Sequence, residues 1–303
     1  MADRRLQVFH AVAKQLSFTK AAEALFMTQP AVTFQIKQLE EHFNTRLFDR
    51  GHGRIGLTPA GDIVLDYAER ILALSAELDT RLKEMTGEIG GVLLIGASMT
   101  IAEFMLPRVL GEFRSRYPAV LPRLTVANSE TVESRVAEHT LDIGFIEAPS
   151  HLSSLVSDVC AEDELQVLCA PGHALAQRKS VTPKLLLQHA FISREPGSGT
   201  REVTDHYFQK AGIRPDSLDT VMELGSPEAI KGLVSTGLGF AIMSRATIGK
   251  ELELGQLAAV PLEPPLMRTL SVVYLKETFR SRLADTFIQF AKDRLRASAH
   301  PQQ

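Results

Sequence analysis

One helical stretch divides this chain and limits what the rest can be. From Thr58-Pro59, a capping residue followed by a first-turn proline, apolar residues recur as Val64, Tyr67, Ile71, Leu74, Leu78, Leu82 and Met85, at steps of three, four, three, four, four and three. That is a heptad seam with one slip, too long to bury in a small domain and suited to a two-helix coiled coil. The spacing predicts a dimerisation helix over 59–88, with a hinge at "TGEIGG" (86–91). The chain of 303 residues, 45% of them hydrophobic, then has room for two or three separately folded parts around that helix.

The segment before it is the only basic one. Residues 1–58 hold eight Lys/Arg against five Asp/Glu, whereas 59–88 hold three against seven. A net charge of +3 is a weak nucleic-acid signal, so the motif has to carry the argument. Leu6, Phe9, Val12 and Ala13 share one face of a first helix. A second begins at "SFTKAAEAL", where Ser17 or Thr19 can cap it and Ala21, Ala22 and Leu25 face inward. A third runs through "TQPAVTFQIKQLEEHF", capped by Thr28, with Pro30 in its first turn and Val32, Ile36, Leu39 and Phe43 on its apolar side. Helices two and three are separated only by "FM", the tight crossing of a helix-turn-helix. The opposite face of the third, with Gln29, Thr33, Phe34 and Lys37, is left for solvent or DNA: Gln reads adenine, Thr touches bases or thymine methyls, Lys suits phosphate. "RLFDRGHGRIGLTPAG" reads as two short strands around a Gly-rich tip, a wing carrying Arg50 and Arg54.

After Val92, apolar strands alternate with amphipathic helices: "VLLIGA", "LPRLTVA", "LDIGFI", "LQVLCA", "AFIS", "VMEL", "GFAIM" and "LSVVYL" are the strands. This argues α/β with parallel strands, whose ligands sit beyond the strand carboxyl ends. Four loops there open helices with small hydroxyls and free amides: "GASMT" (Ser98, Met99, Thr100), "ANSETV" (Asn128, Ser129), "SREPGSGTR" (Arg194, Glu195, Gly197, Ser198, Gly199, Thr200) and "ELGSPEA" (Ser226). Each is either a plain N-cap or one wall of a small-anion site, and the glycines of "GSGT" let consecutive amides form a nest. Glu147 and Glu195 near such a site would repel an anion unless paired, with Arg194 and Arg201 as candidate partners.

Other classes find little support. The sequence lacks a Gly-x-Ser-x-Gly elbow and Cys/His metal spacing, so neither an enzyme, a metal nor a cofactor is expected. No signal segment or membrane-length apolar run is apparent, which predicts a cytoplasmic protein with no membrane partner. Cys160 and Cys169 lie in strand-like segments, either buried and reduced or, if their side chains meet, a redox pair.

The run "FHAVAKQLSFTKAAEALFMTQPAVTFQIKQLEEHFNTRLFDR" followed by "LTPAG" resembles the winged helix-turn-helix of LysR-type transcriptional regulators. "SPEAIKGLVSTGLGFAIMS" is similar to an element of that family's effector domain, and the resemblance extends over the whole chain. It implies an α+β multi-domain protein. Residues 1–58 would be a winged helix-turn-helix and 59–88 a linker helix. An α/β effector domain would follow, with two subdomains like those of periplasmic solute-binding proteins, 89–164 with 267–303 and 165–266. It also implies double-stranded DNA as partner, met by Ser17, Thr19, Thr28, Gln29, Pro30, Thr33, Lys37, Arg50 and Arg54, and a homodimer through the linker helix that assembles into a tetramer. "VANSETV", "DIGFIEAP", "REPGSGTRE" and "MELGSPEAIKGLVSTGLG" are most similar to the branch responding to sulfur oxyanions or carbon-fixation metabolites. The implied effector is a small anion, sulfite or sulfate, held between the subdomains; a carboxylate, a phosphorylated metabolite and redox sensing are the alternatives.

Overall fold

A computed structural model describes residues 3–49, 55–85, 89–276 and 280–299. The chain forms two units, 1–88 and 89–303.

In the first unit, α1 (Arg4–Gln15), α2 (Phe18–Ala24) and α3 (Gln29–Phe43) precede a short antiparallel pair, β1 (Phe48–Asp49) and β2 (Gly56–Leu57), and then α4 (Pro59–Met85). Local chemistry sets the helix starts. Ser17 Oγ accepts from Lys20 N at 3.2 Å and Thr28 Oγ1 from Ala31 N at 3.4 Å, so Ser17, rather than Thr19, caps α2. Val8, Phe9, Val12, Ala21, Val32, Ile36 and Leu39 close a core that Phe48 completes against the rings of Phe9 and Phe18. Phe43, expected inside, is 44% exposed, because α3 has run past that core by its last turn. Along α4, Val64 packs on its own unit, whereas Tyr67, Ile71, Leu74 and Leu78 stay exposed; the side chains of Leu82 and Met85 lie outside the described residues.

The base of the wing is tied to α4. Thr58 N donates to Leu47 O at 3.0 Å, and Thr58 Oγ1 donates to Arg46 O at 2.7 Å while accepting from Gly61 N at 3.0 Å. A Cβ on Gly61 would sit 2.2 Å from Leu47 O, which only glycine avoids.

The second unit runs β3 (Gly91–Ser98), a π-helical turn (Ile101–Met105) leading into α5 (Leu106–Arg116), β4 (Val120–Ala127), α6 (Ser129–Ala137), β5 (Ile143–Ile146) and β6 (Leu155–Cys169). It continues with α7 (Pro183–Leu186), β7 (Phe191–Arg194), α8 (Gly199–Lys210), β8 (Thr220–Leu224), α9 (Pro227–Ser235), β9 (Ala241–Ser244), α10 (Gly249–Glu253), β10 (Ala258–Val260), β11 (Leu266–Leu275) and α11 (Arg282–Ala299). The main sheet has the order β10-β6-β11-β5-β3-β4, with β9 also on β6; β7 and β8 pair separately. The parallel arrangement holds for β3 with β4 and β5, and for β7 with β8. β11 instead lies antiparallel to both β5 and β6. The physical reason is connectivity: the chain leaves the first apolar cluster along β6 and returns along β11, so the two must run in opposite directions.

Those strands join two cores. Leu93, Ile95, Phe113, Phe145 and Phe287 center one, to which β6 gives Cys160 and β11 gives Leu270 and Val272. Phe191, Phe208, Phe240 and Ile242 center the other, which takes Leu165, Val167 and Cys169 from β6 and Leu266 from β11. Cys160 and Cys169 therefore occupy different cores, nine residues along one strand, about 30 Å apart at ~3.3 Å per residue. A disulfide needs Cα atoms within about 7 Å, so the redox-pair expectation is overturned. Burial also pushes both thiols up to about 11, away from the reactive thiolate.

The tightest backbone approach described for the first unit is testable. Gly61→Ala is expected to cost about 1–3 kcal/mol, because a backbone carbonyl cannot give way as a flexible side chain would; denaturant unfolding of the two chains side by side checks it.

Candidate functional site

The polar center of the second unit lies where the two cores meet. Arg268, on β11, has a side chain only 1% exposed between the carboxylates of Glu147 and Asp163. Its Nη1 donates to Glu147 Oε2 at 2.7 Å and its Nε to Asp163 Oδ2 at 2.8 Å. Strand register explains the meeting, since Arg268 is the direct partner of Asp163 across the β6–β11 ladder. Ser244 Oγ, at the end of β9, completes Asp163 with a bond of 2.7 Å.

Glu147 follows β5, and its carboxylate is fully engaged. Oε1 accepts from Ser98 Oγ at 2.6 Å and from Thr100 N at 3.1 Å; Oε2 accepts from Thr200 Oγ1 at 2.9 Å as well as from Arg268. Its own amide donates to Ser129 Oγ at 3.3 Å. Burial by itself would raise this carboxyl, but the Arg268 charge, the Ser98 hydroxyl, the Arg194 charge and the Thr200 hydroxyl outweigh it and bring it down to about 2. Three of the four predicted helix starts thus do converge, and the anion at their center is the protein's own carboxylate.

The other predicted residues divide around this cluster. Asn128 caps α6, accepting from Thr131 N at 2.9 Å, and its Nδ2 donates to Pro196 O at 3.1 Å. Gly197 has φ +80°, and a Cβ there would meet Asn128 and Glu130; Gly199 lies as closely against Ser129 and Glu147. Met99 is half-buried between Ser98 and Thr100. Arg194 is buried and holds Glu195 at 2.8 Å, and Arg201 pairs with Glu223 at 2.5 Å and Asp205 at 3.8 Å. Neither arginine is the direct partner of Glu147; Arg268 is. Ser226 stays outside the cluster as an ordinary cap of α9, accepting from Ala229 N at 3.4 Å. Beyond it Lys231, on the same helix, lies 5.2 Å from the ring center of Phe104 in the π-helical turn.

On another side of the unit, α6, the 148–152 loop and α8 border an open cleft of about 670 Å³. Glu130, Glu133, Glu202 and Asp205 line it, together with Ser129, Pro196, Gly197 and Ser198. His151 Nε2 meets Glu202 Oε1 across it at 3.0 Å, and that pairing raises the imidazole above its ordinary value.

In the first unit, one surface of α3 is free of the core. Gln29, Pro30, Phe34 and Lys37 are exposed there, and Thr33 is half-buried beside them. Gln29 Nε2 donates to Thr33 Oγ1 at 3.2 Å, which in turn donates to Gln29 O at 3.0 Å. Lys37 touches Glu41 at 3.6 Å and is otherwise solvated. Thr19 is exposed on α2. Arg50 and Arg54 lie outside the described residues.

Two family models match this chain. Residues 4–62 match the bacterial regulatory helix-turn-helix of the lysR family, and residues 86–296 match the LysR substrate-binding domain. The chain belongs to the LysR family. A relative from Porphyra purpurea, described as a probable RuBisCO transcriptional regulator, is 36% identical over 94% of this chain and 91% of its own length. Among solved structures, CbnR, a LysR family transcriptional regulator, aligns with a TM-score of 0.68 at 20% identity, over 98% of this chain and all of its own. The regulatory domain of Synechocystis CcmR in complex with 2-PG aligns with a TM-score of 0.62 at 28% identity, over 68% of this chain and 98% of that one.

As a LysR-type regulator the chain is a DNA-binding transcription regulator with an effector domain, and not an enzyme. No described helix is long and apolar enough to cross a membrane. The residues that sequence reasoning missed are Arg268 and Asp163. Their only signal was a charge inside each of two strand-like runs, "LMRTLSVVYL" and "DELQVLCA", and a charge at one strand position usually faces water.

Two expectations follow. Glu147 lies below its ordinary 4.5, so its contribution to stability is complete above that pH and is lost as pH falls toward 2. Glu147→Gln leaves Arg268 with one carboxylate and should cost about 3 kcal/mol near pH 7; unfolding curves at pH 7 and pH 3 should show that deficit shrinking, and an equal deficit at both would contradict the assignment. For the helix-turn-helix, Gln29→Ala should weaken specific binding by about 1–3 kcal/mol with little effect on scrambled DNA, read by competition gel shift.

Proposed function

We propose that this LysR-type regulator controls carbon-fixation genes in response to a small phosphorylated carboxylate that enters the seam between its effector lobes. The observation that carries this reading is the ring of oxyanion donors, Ser98 Oγ, Thr100 N, Thr200 Oγ1 and Arg268 Nη1, around one carboxylate. Such donors suit a phosphate or a carboxylate as well as they suit Glu147. The curated relatives described as RuBisCO regulators and the CcmR domain bound to 2-PG favour a phosphorylated carboxylate over sulfite or sulfate.

In this reading the lobes are 89–164 with 267–303, and 165–266, with β6 and β11 as the shared strands. Ser98, Met99, Thr100, Asn128, Ser129 and Glu147 approach from one lobe; Arg194, Glu195, Gly199 and Thr200 approach from the other, while Gly197 and Ser198 line the cleft between α6 and α8. Glu147 holds the donors until the effector competes for them. Effector binding changes the lobe arrangement only as far as it prefers one arrangement over the other. On the DNA, Gln29 and Thr33 read bases, Ser17, Thr19, Thr28, Pro30 and Lys37 meet the backbone, and Arg50 and Arg54 serve the wing. The exposed row Tyr67, Ile71, Leu74 and Leu78 supports a homodimer through α4, paired further into a tetramer.

A thermal-shift series on the full chain with 2-phosphoglycolate, phosphate, sulfite, sulfate and short carboxylates tests this, with a gel shift on DNA upstream of the RuBisCO genes. The expected result is a saturable rise in Tm with 2-phosphoglycolate. Half-saturation should come at lower concentration in Glu147→Gln, whose competing charge is gone, and at higher concentration in Thr200→Val, which loses one of the donor hydroxyls. Stabilisation by sulfite or sulfate alone would overturn the effector class; stabilisation indifferent to Glu147→Gln would overturn the site.

A further inference from the structure

We propose that the open cleft between α6 and α8 binds a small organic cation, an aliphatic amine or diamine, at a site distinct from the oxyanion donors around Glu147. Charge is the first reason. Glu130, Glu133, Glu202 and Asp205 line the cleft, and the one arginine there, Arg201, is already held by Glu223 at 2.5 Å and by Asp205 at 3.8 Å. His151 pairs with Glu202 and also feels the charges of Glu130 and Glu133, and with His206 it completes the titratable cations of the lining, so the four carboxylates outnumber the one permanent cation. A cavity so lined repels the phosphorylated acids that the seam would accept.

Unfinished hydrogen bonding at its buried edge is the second reason, independent of the first. Glu133 is 4% exposed and Ser198 is 3% exposed; both border the cleft, and neither Glu133 Oε1 nor Ser198 Oγ has a hydrogen-bond partner. Buried polar atoms of this kind are rare in folded proteins, and a cavity beside them is where their partner belongs. Ser198 is informative because it stands at the N-cap of α8 and yet makes no capping bond. The rest of the Glu133 carboxylate is engaged by the long contact from His151 N, 3.4 Å, and by the Ser150 hydroxyl, so Oε1 is the atom left to take a strong donor.

Shape and chemistry then select the class. Among the described residues no group of three or more His, Cys, Asp or Glu is disposed to hold a metal ion, and about 670 Å³ suits an organic molecule. An ammonium brings three donors, enough for Glu133 Oε1 and Ser198 Oγ together. Its alkyl stem would lie on Ala148 and Leu152, which line the same cleft, and a second ammonium would reach Glu202 and Asp205. Such a ligand touches both α6 and α8, and so would act on the closure of the same two lobes.

The test is a thermal-shift titration of the full chain with 1,4-diaminobutane, against sodium chloride of equal ionic strength and with 2-phosphoglycolate in parallel. The expected result is a saturable rise in Tm beyond that of the salt, with half-saturation moved up by about tenfold or more in Glu133→Gln, the factor carried by a charge-assisted hydrogen bond. Glu133→Gln should keep its response to 2-phosphoglycolate, which separates this site from the seam. Asp205→Asn, at the half-exposed rim, should weaken the diamine over butylamine and decides the matter if Glu133→Gln does not fold. No rise beyond sodium chloride, or a wild-type titration retained in the variants, would overturn the proposal.

Discussion

The C-terminal unit depends on the burial of Arg268. A guanidinium with 1% of its side chain exposed is held only if carboxylates come with it, because desolvating each ion costs several kcal/mol. Glu147 and Asp163 meet that need from two different strands, and the hydroxyls of Ser98, Thr200 and Ser244 complete them. The register of β11 on β6, the path of the chain after β5 and the start of α8 must all be right at once. A fault in any of them leaves a buried charge unpaired. The same demand explains why the hydroxyl-rich loops of the sequence point inward, and why a region that reads as an empty anion cradle already holds an anion.

The N-terminal unit rests on a different balance. Its helices are short, and their starts are fixed by caps at Ser17 and Thr28, their packing by an aromatic contact of Phe48 with Phe9 and Phe18. Small residues where α2 meets α3 let the helices approach closely, and the core consumes one side of α3 only. The remaining side, with Gln29, Thr33 and Lys37, is left toward solvent, as the proposed base reading requires. A polar face free for a partner is thus a by-product of how little apolar surface a unit this small can bury.

The two oppositely disposed chemistries of the effector unit follow from one topology. Helix starts crowd into the seam with their donors, while the flanks of α6 and α8 carry the carboxylates into the cleft beside it. Donors and acceptors are thus segregated within one unit, which is why the two proposed ligands, of opposite charge, would not compete for one pocket.

Periodicity and capping chemistry are local, so the helices of the first unit, the long α4 and the strand-helix alternation of the second were legible in the residues alone. So was the gathering of small hydroxyls at helix starts such as Ser98, Thr100 and Thr200, since each follows an apolar strand; that they meet across two different sheets is a matter of tertiary structure. What lay beyond the sequence is everything fixed by pairing at long range. Arg268 and Asp163 are 105 residues apart and meet only through the β6–β11 register, and Cys160 and Cys169, nine residues apart, are kept separate by that same extended strand. The sequence by itself determined which segments fold and which hydroxyls and amides stand at helix starts. The tertiary structure decided which charge fills the space between them, because strand register, and not local spacing, chooses the partner of a buried ion.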